Sequence, residues 1–313
     1  MRIVFFGSPS AALPSLEKLL DAGHEVKLMI TQPDKPSGRG QKSMPCAVKA
    51  FAISRGIPTY EPERIRKDPV ALDKLRAANP EVNVVVAYGQ IIPAPIIYFP
   101  KHKSLNVHFS LLPKFRGAAP VQWALLSGEA KTGVTIFELN EKMDEGHIYA
   151  TTEVLILPGE NALELEMRLA NVGAGLLLET LAEIDRINPI PQDQSLATYA
   201  PKLQKEDGKI DWNLDADVIG RKVQAVTPWP SAYTFFRKKR LIILRGSALT
   251  GPFPPETRPA SPGTVVAVEK QGMTVACKNG SRYRIERLRP ENKAAMDAYA
   301  FSLGAKIDIG DII

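Results

Sequence analysis

Cysteine is nearly absent from the chain: among 313 residues only Cys46 and Cys277 occur, far apart and without a C-x-x-C partner. That usage disfavours a disulfide framework and a structural zinc site, and two inert thiols in a reducing compartment are expected. Long apolar runs are missing too. No window approaches the ~20 uninterrupted apolar residues that span a bilayer. The segment M-R-I-V-F-F-G runs into a strand pattern without a cleavage-like end, so a soluble, cytoplasmic protein with no membrane partner is expected. Several chemical signatures are absent. Gly7-Ser8-Pro9-Ser10 after the first strand is not G-x-G-x-x-G, and G-x-x-x-x-G-K-[ST] does not occur, so a dinucleotide and an NTP are both unsupported. There is no G-x-S-x-G elbow and no H-E-x-x-H.

The composition that remains, 44% apolar and 24% charged, is that of a folded chain and excludes wholesale disorder. At roughly 150 residues per domain the length suggests two domains. The formal charge of +6 is unevenly spread. Residues 1–208 hold 23 Lys and Arg against 24 Asp and Glu, net −1, whereas residues 209–313 hold 17 against 10, net +7. A second asymmetry is local: from Lys35 to Tyr60 there are five basic residues, Lys35, Arg39, Lys42, Lys49 and Arg55, and no acidic one. Basic faces are often simply solvated, so charge alone leaves the partner open.

Periodicity predicts strands at Arg2–Phe6, Val26–Ile30, Val82–Ala87 and Leu105–His108, with helices at Leu13–Leu20, Ala47–Ser54 and Pro69–Ala78 between them. Runs such as V-N-V-V-V-A are apolar nearly throughout, as strands covered on both faces tend to be. The alternation predicts an α/β fold, a Rossmann-like, mostly parallel sheet. Further strands are expected at Thr135–Leu139 and Ile148–Ile156, and a long helix at Leu163–Ile187. The stretch Asn188–Gln194, N-P-I-P-Q-D-Q, reads as the start of a linker. Beyond a helix at Ala216–Val226, five short strand patterns between Tyr233 and Ile285 predict a smaller β-barrel domain. The expected division is 1–189, a linker at 190–208, and 209–313. Thr31–Pro45 is a long irregular stretch at the carboxyl edge of the sheet, where such folds bind ligands.

One polar cluster stands out. N-V-H places Asn106 and His108 two residues apart, so on a strand both side chains share a face. An amide donor beside an imidazole suits acyl transfer: Asn106 can hold a developing oxyanion while His108 moves protons. The plain structural alternative is a strand-end histidine satisfied by backbone and an asparagine capping a turn. M-D-E-G-H offers Asp144 in a turn after a strand, able to orient His108, although spacing alone does not bring them together. Asp144 and His147 read as metal ligands lack a third close ligand, and no metal is expected.

From Asn106 to Pro120 the sequence N-V-H-F-S-L-L-P-K-F-R-G-A-A-P resembles the signature of the folate-dependent formyltransferases, and L-P-x-x-R-G-A-A-P is similar to that of members acting on methionyl-tRNA. T-Q-P-D-K-P-S-G-R-G, V-V-V-A-Y-G, T-G-V-T-I-F, Y-A-P-K-L, I-D-W and P-W-P follow in the family's order, so the resemblance covers nearly the whole chain. It implies a triad of Asn106, His108 and Asp144, and 10-formyltetrahydrofolate as formyl donor. Ser110, Leu111, Leu112 and Pro113 are implied to contact that donor, with Val86, Ala87, Tyr88, Gly89, Gln90 and Ile91 lining its pterin pocket. The implied acceptor is the α-amine of methionyl initiator tRNA, with Lys35, Arg39 and Lys42 on a loop at its acceptor end. The C-terminal domain is implied to be an OB-like barrel along the tRNA, in a monomeric protein. Phe109 where a small residue is common, Glu145 and His147 in place of a D-x-G-D turn, and the ending Ala298–Ile313 depart from the family pattern. Sugar-nucleotide N-formyltransferases and a hydrolase of the donor would use the same core residues. A nucleic-acid-binding barrel with an inert sheet domain would leave the three without a role.

Overall fold

A nearly unbroken apolar segment, R-I-V-F-F-G, forms β1 (Arg2–Gly7), and five of its six residues are buried. The computed structural model describes residues 1–37, 42–249 and 260–313, with backbone alone for 35–37, 42 and 43. It divides into two compact units. The first comprises Met1–Pro120, Lys131–Leu155 and Glu166–Pro201; the second comprises Val121–Ala130, Ile156–Leu165 and Lys202–Ile313.

In the first unit β1 is followed by α1 (Leu13–Asp21), β2 (Glu25–Ile30), β3 (Lys35–Ser37), β4 (Lys42–Met44), α2 (Ala47–Ser54), β5 (Thr59–Tyr60), α3 (Pro69–Ala78), β6 (Val82–Val86), α4 (Ala94–Ile97) and β7 (Ser104–His108). α5 (Pro120–Leu126) belongs to the second unit from Val121 on, β8 (Lys131–Glu138) and β9 (Ile148–Leu155) belong to the first, and α6 (Ala162–Ala182) joins the first from Glu166. The seven-stranded sheet has the order β5-β2-β1-β6-β7-β8-β9. It is parallel from β5 to β7, while β8 and β9 run antiparallel at one side. Local chemistry sets the helix ends. Asp68 caps α3 by accepting from the N–H groups of Val70 and Ala71, Pro69 opens it, and Asn79 ends it in a left-handed conformation at φ 44°. Each buried Val, Leu, Ile or Phe side chain of the sheet contributes about 1.5–3 kcal/mol. On α6, Gly173 lies against Val107 and Val134, where a Cβ would come within 2.8 Å of Val107 Cγ1.

Strand order reverses direction at β1 and β6, which opens a crevice at their carboxyl ends. Gln32 stitches the loops there: its backbone N–H donates to Ser8 Oγ at 2.9 Å and its side-chain amide donates to the Tyr88 carbonyl at 2.7 Å. The stretch expected to be irregular carries the short antiparallel pair β3–β4, with Lys35 opposite Met44 and Ser37 opposite Lys42. Three-residue strands, one holding Pro36, leave no periodic signal. Arg39 and the side chains of Lys35 and Lys42 lie outside the described residues.

The segment expected to be a linker is bonded into the first unit as far as Pro201. Ile190 exchanges backbone hydrogen bonds with Ile148, Thr198 O accepts from Arg116 N–H, and Ala200 N–H donates to Arg116 O. Its proline and polar content conceals these bonds, because they are made by backbone groups.

The second unit carries α7 (Ala216–Ala225), β10 (Ala232–Phe236), β11 (Lys239–Leu249), β12 (Val265–Glu269), β13 (Gly272–Ala276), β14 (Arg282–Pro290), β15 (Met296–Asp297) and α8 (Ala298–Ala305). Its strands form a smaller antiparallel sheet of order β10-β11-β14-β13-β12, with β15 on β14. Among the described residues no pairing joins β10 to β12.

Candidate active site

The alternation of β7 puts Ser104, Asn106 and His108 on one face and Leu105 and Val107 on the other. Asn106 sits opposite Val85 of β6 and Phe137 of β8, and His108 sits opposite Thr135. Asn106 is half-buried, and its side-chain amide has no hydrogen-bond partner among the described residues. His108 is 5% exposed, with its ring edge-on to Phe137. Its Nε2 lies 3.0 Å from the carbonyl oxygen of Phe115. A carbonyl only accepts, so Nε2 carries the hydrogen, and neutral His108 keeps its lone pair on Nδ1.

That Nδ1 lies 3.8 Å from Asp144 Oδ2. The separation is too long for a hydrogen bond but suits attraction once His108 is protonated. Asp144 is therefore placed to stabilise a proton taken up at Nδ1. The carboxylate is fixed by the Gly117 N–H, which donates to Oδ2 at 2.7 Å. Asp144 itself is left-handed, φ 53°, in a turn that settles on the end of β8. At Gly146 any Cβ would collide with the Glu138 backbone, so the turn requires glycine there.

The turn after β7 is held from below. Thr135 Oγ1 donates to Ser110 O at 2.7 Å and accepts from Leu112 N–H at 3.1 Å, and Ser110 Oγ donates to Lys114 O at 2.6 Å. Ser110 and Leu112 are buried, and Leu111 and Pro113 are half-buried. After β6, Val86 and Tyr88 point into the core, so only their backbones can meet a ligand, whereas Ala87, Gly89 and Ile91 are exposed. Beside them a cavity of about 500 Å³ is lined by Gln32, Pro33, Glu63, Arg64, Arg66, Lys67, Gln90 and Ile91. Gln90 builds its wall by accepting from Ile65 N–H and donating to Pro62 O.

His108 and Asp144 thus meet, Asn106 stands on the same face of β7 as His108, and Gln90 and Ile91 line the cavity after β6. Sequence reasoning did not single out Gln32, Glu63, Arg64, Arg66 or Lys67. The run E-R-I-R-K held the signal, a single apolar anchor, Ile65 at 1% exposure, flanked by cations. His147 turns away to Glu138 Oε1 at 2.6 Å, so it and Asp144 serve different partners. Among the described residues no cluster of three His, Cys, Asp or Glu residues could hold a metal ion.

A mostly parallel α/β sheet with an imidazole against a carboxylate, and an amide on the same strand face, is an arrangement that suits a group-transfer enzyme. Two family models agree, formyl transferase over residues 1–181 and the formyl transferase C-terminal domain over residues 202–306, and the chain belongs to the formyl transferase family. Its relatives are more particular. The chain is 41% identical to the methionyl-tRNA formyltransferase of Geotalea uraniireducens, over 100% of this chain and 98% of that one. It is 42% identical to that of Thermodesulfovibrio yellowstonii, over 98% and 97%. In fold it is similar to WlaRD, a sugar 3N-formyl transferase solved in the presence of dTDP and 5-N-formyl-THF, with TM-score 0.67 and 18% identity over 94% of this chain and 99% of that one.

Proposed function

We propose that this protein transfers the formyl group of 10-formyltetrahydrofolate to the α-amine of methionyl initiator tRNA, giving N-formylmethionyl-tRNA for translation initiation. The observation that carries this reading is the likeness, from end to end of the chain, to relatives named for methionyl-tRNA formylation. The site supplies matching chemistry. The unpartnered Asn106 amide donates to the oxygen that gains negative charge as the amine attacks. His108 accepts the amine proton at Nδ1 while Phe115 O holds its Nε2–H, Asp144 stabilises the resulting imidazolium, and the same proton passes to the departing tetrahydrofolate nitrogen as its bond to the formyl carbon breaks, which returns His108 to its neutral form.

The folate donor supplies the one-carbon formyl unit when bound. The cavity fits such a molecule: it has room for a drug-sized ligand, and Arg64, Arg66 and Lys67 in its lining suit the carboxylates of a folate tail. The segments Val86–Ile91 and Ser110–Pro113 would hold the donor. The first unit, which reaches as far as Pro201, carries the chemistry, and 209–313, at net +7, bind tRNA phosphates together with Lys35, Arg39 and Lys42. The enzyme acts as a cytoplasmic monomer.

The test is formyl transfer from 10-formyltetrahydrofolate with initiator Met-tRNA, elongator Met-tRNA and water as competing acceptors. Formylation of initiator Met-tRNA is expected. Loss of formyl to water alone would replace the reading with a donor hydrolase.

A further inference from the structure

Beneath the Met143–His147 turn lies a buried polar layer that does not belong to the triad. Arg116 is 1% exposed and Gln192 is 7% exposed. Arg116 Nε and Nη2 both donate to Gln192 Oε1, at 3.1 and 2.7 Å, and Nη1 donates to Gln194 Oε1 at 2.9 Å. With its oxygen saturated by the guanidinium, Gln192 presents only its amino group to the turn. Nε2 donates to the carbonyls of Asp144 and Gly146, each at 2.8 Å. Every hydrogen-bonding position of the Gln192 amide is therefore used, and flipping it would set its oxygen against two carbonyl oxygens.

The same stretch of chain also reaches the carboxylate, since Gly117 N–H donates to Asp144 Oδ2. Arg116 is in turn fixed by backbone bonds to Thr198 and Ala200. Asp144 is thus gripped at its backbone through Arg116 and Gln192 and at its side chain through Gly117, while its backbone is held at a left-handed φ of 53°. Freed from this grip, the turn would move Oδ2 away from His108 Nδ1.

We propose that Arg116 and Gln192 are positioning residues for formyl transfer, acting through the Asp144 turn to hold the carboxylate at its distance from His108. The proposal rests on the reading that Asp144 works with His108. Gln192→Glu is the informative variant. It keeps the shape and the acceptor for Arg116 but opposes a carboxylate oxygen to the carbonyls of Asp144 and Gly146. With turnover measured on initiator Met-tRNA, kcat should fall about 10- to 100-fold, the scale expected for misplacing a reacting group by about 1 Å. KM for tRNA and for 10-formyltetrahydrofolate should be unchanged. The double variant Asp144→Asn/Gln192→Glu should be no slower than Asp144→Asn alone, because Gln192 acts through Asp144. Arg116→Lys, which loses the fork but keeps the charge, should behave alike and decides the matter if Gln192→Glu does not fold. Wild-type kcat in these variants while Asp144→Asn is impaired would overturn the positioning role, as would losses that multiply in the double variant. Near-normal turnover of Asp144→Asn would instead overturn the reading of Asp144 itself, and the proposal with it.

Discussion

Asn106 is a half-buried amide on a central strand with no protein partner for its side chain among the described residues. A half-buried amide that the fold leaves without a protein partner is free, beside His108, to donate to a group that arrives during reaction. Asn106→Ala is accordingly expected to leave thermal stability nearly unchanged while lowering kcat about 100-fold or more, as for other single oxyanion donors. Unaltered turnover would remove Asn106 from the mechanism. The pair of residues was legible because N-V-H fixes their common face by the two-residue period of a strand, which is a local property. M-D-E-G-H was legible as an acid in a glycine turn. The orientation of His108 was not, because it depends on Phe115 O, seven residues on in a turn without a repeat. Nor were Arg116 and Gln192, which meet across 76 residues of sequence. Side chains that act on one another across the fold leave no spacing to read.

At the scale of elements, α2 and α3 occupy the spans read from the sequence because short-range signals set their limits, above all Asp68, Pro69 and Asn79 around α3. The two residues of β5 and the β3–β4 pair escaped because strands that short carry no alternation. The apolar spacing of α6 suggested a helix to Ile187, whereas it stops at Ala182. Joints between elements are equally hidden, and Glu138 is one of them. At the end of β8 it accepts from Lys103, before β7, at 2.9 Å and pairs with His147, before β9, at 2.6 Å. Burial alone would raise its carboxyl, but the hydrogen bonds and charges of Lys103 and His147 outweigh that and hold it below the usual carboxylate range. A depressed carboxyl stabilises the fold at pH values above the range where unfolded carboxyls titrate, and that stability is lost as pH falls through the folded value. Glu138→Gln should therefore be less stable than the wild type at neutral pH, and the difference should close on acidification. Urea midpoints of both proteins, compared from neutral to acid pH, check this; a gap that stays constant would place the contribution elsewhere.

Over the whole molecule, the near-neutral first 208 residues and the +7 of the remainder make the C-terminal sheet the natural seat for a polyanion. The pairing of β11 with β14 sharpens this. Arg287 and Arg289 are exposed on β14, opposite Arg245 and Ile242 of β11. Arg245 is tied to Glu286 at 3.2 Å, whereas Arg287, which stands opposite Asp297 of β15, and Arg289 form no ion pair among the described residues. Glu286 and Asp297 offset part of the charge of Arg245 and Arg287, and the exposed guanidiniums of Arg287 and Arg289 leave room for phosphates to bind. Replacing Arg287 and Arg289 by alanine should weaken tRNA binding similarly for initiator and elongator species, since phosphate contacts carry no sequence. It should also flatten the dependence of log affinity on log salt by about 2, one for each lost contact. Turnover at saturating tRNA should be unaltered, because Asn106, His108 and Asp144 lie in the other unit. A salt titration of tRNA binding decides it: a slope as steep as that of the wild type would mean that these arginines face solvent in the complex, and that the excess charge meets the tRNA elsewhere.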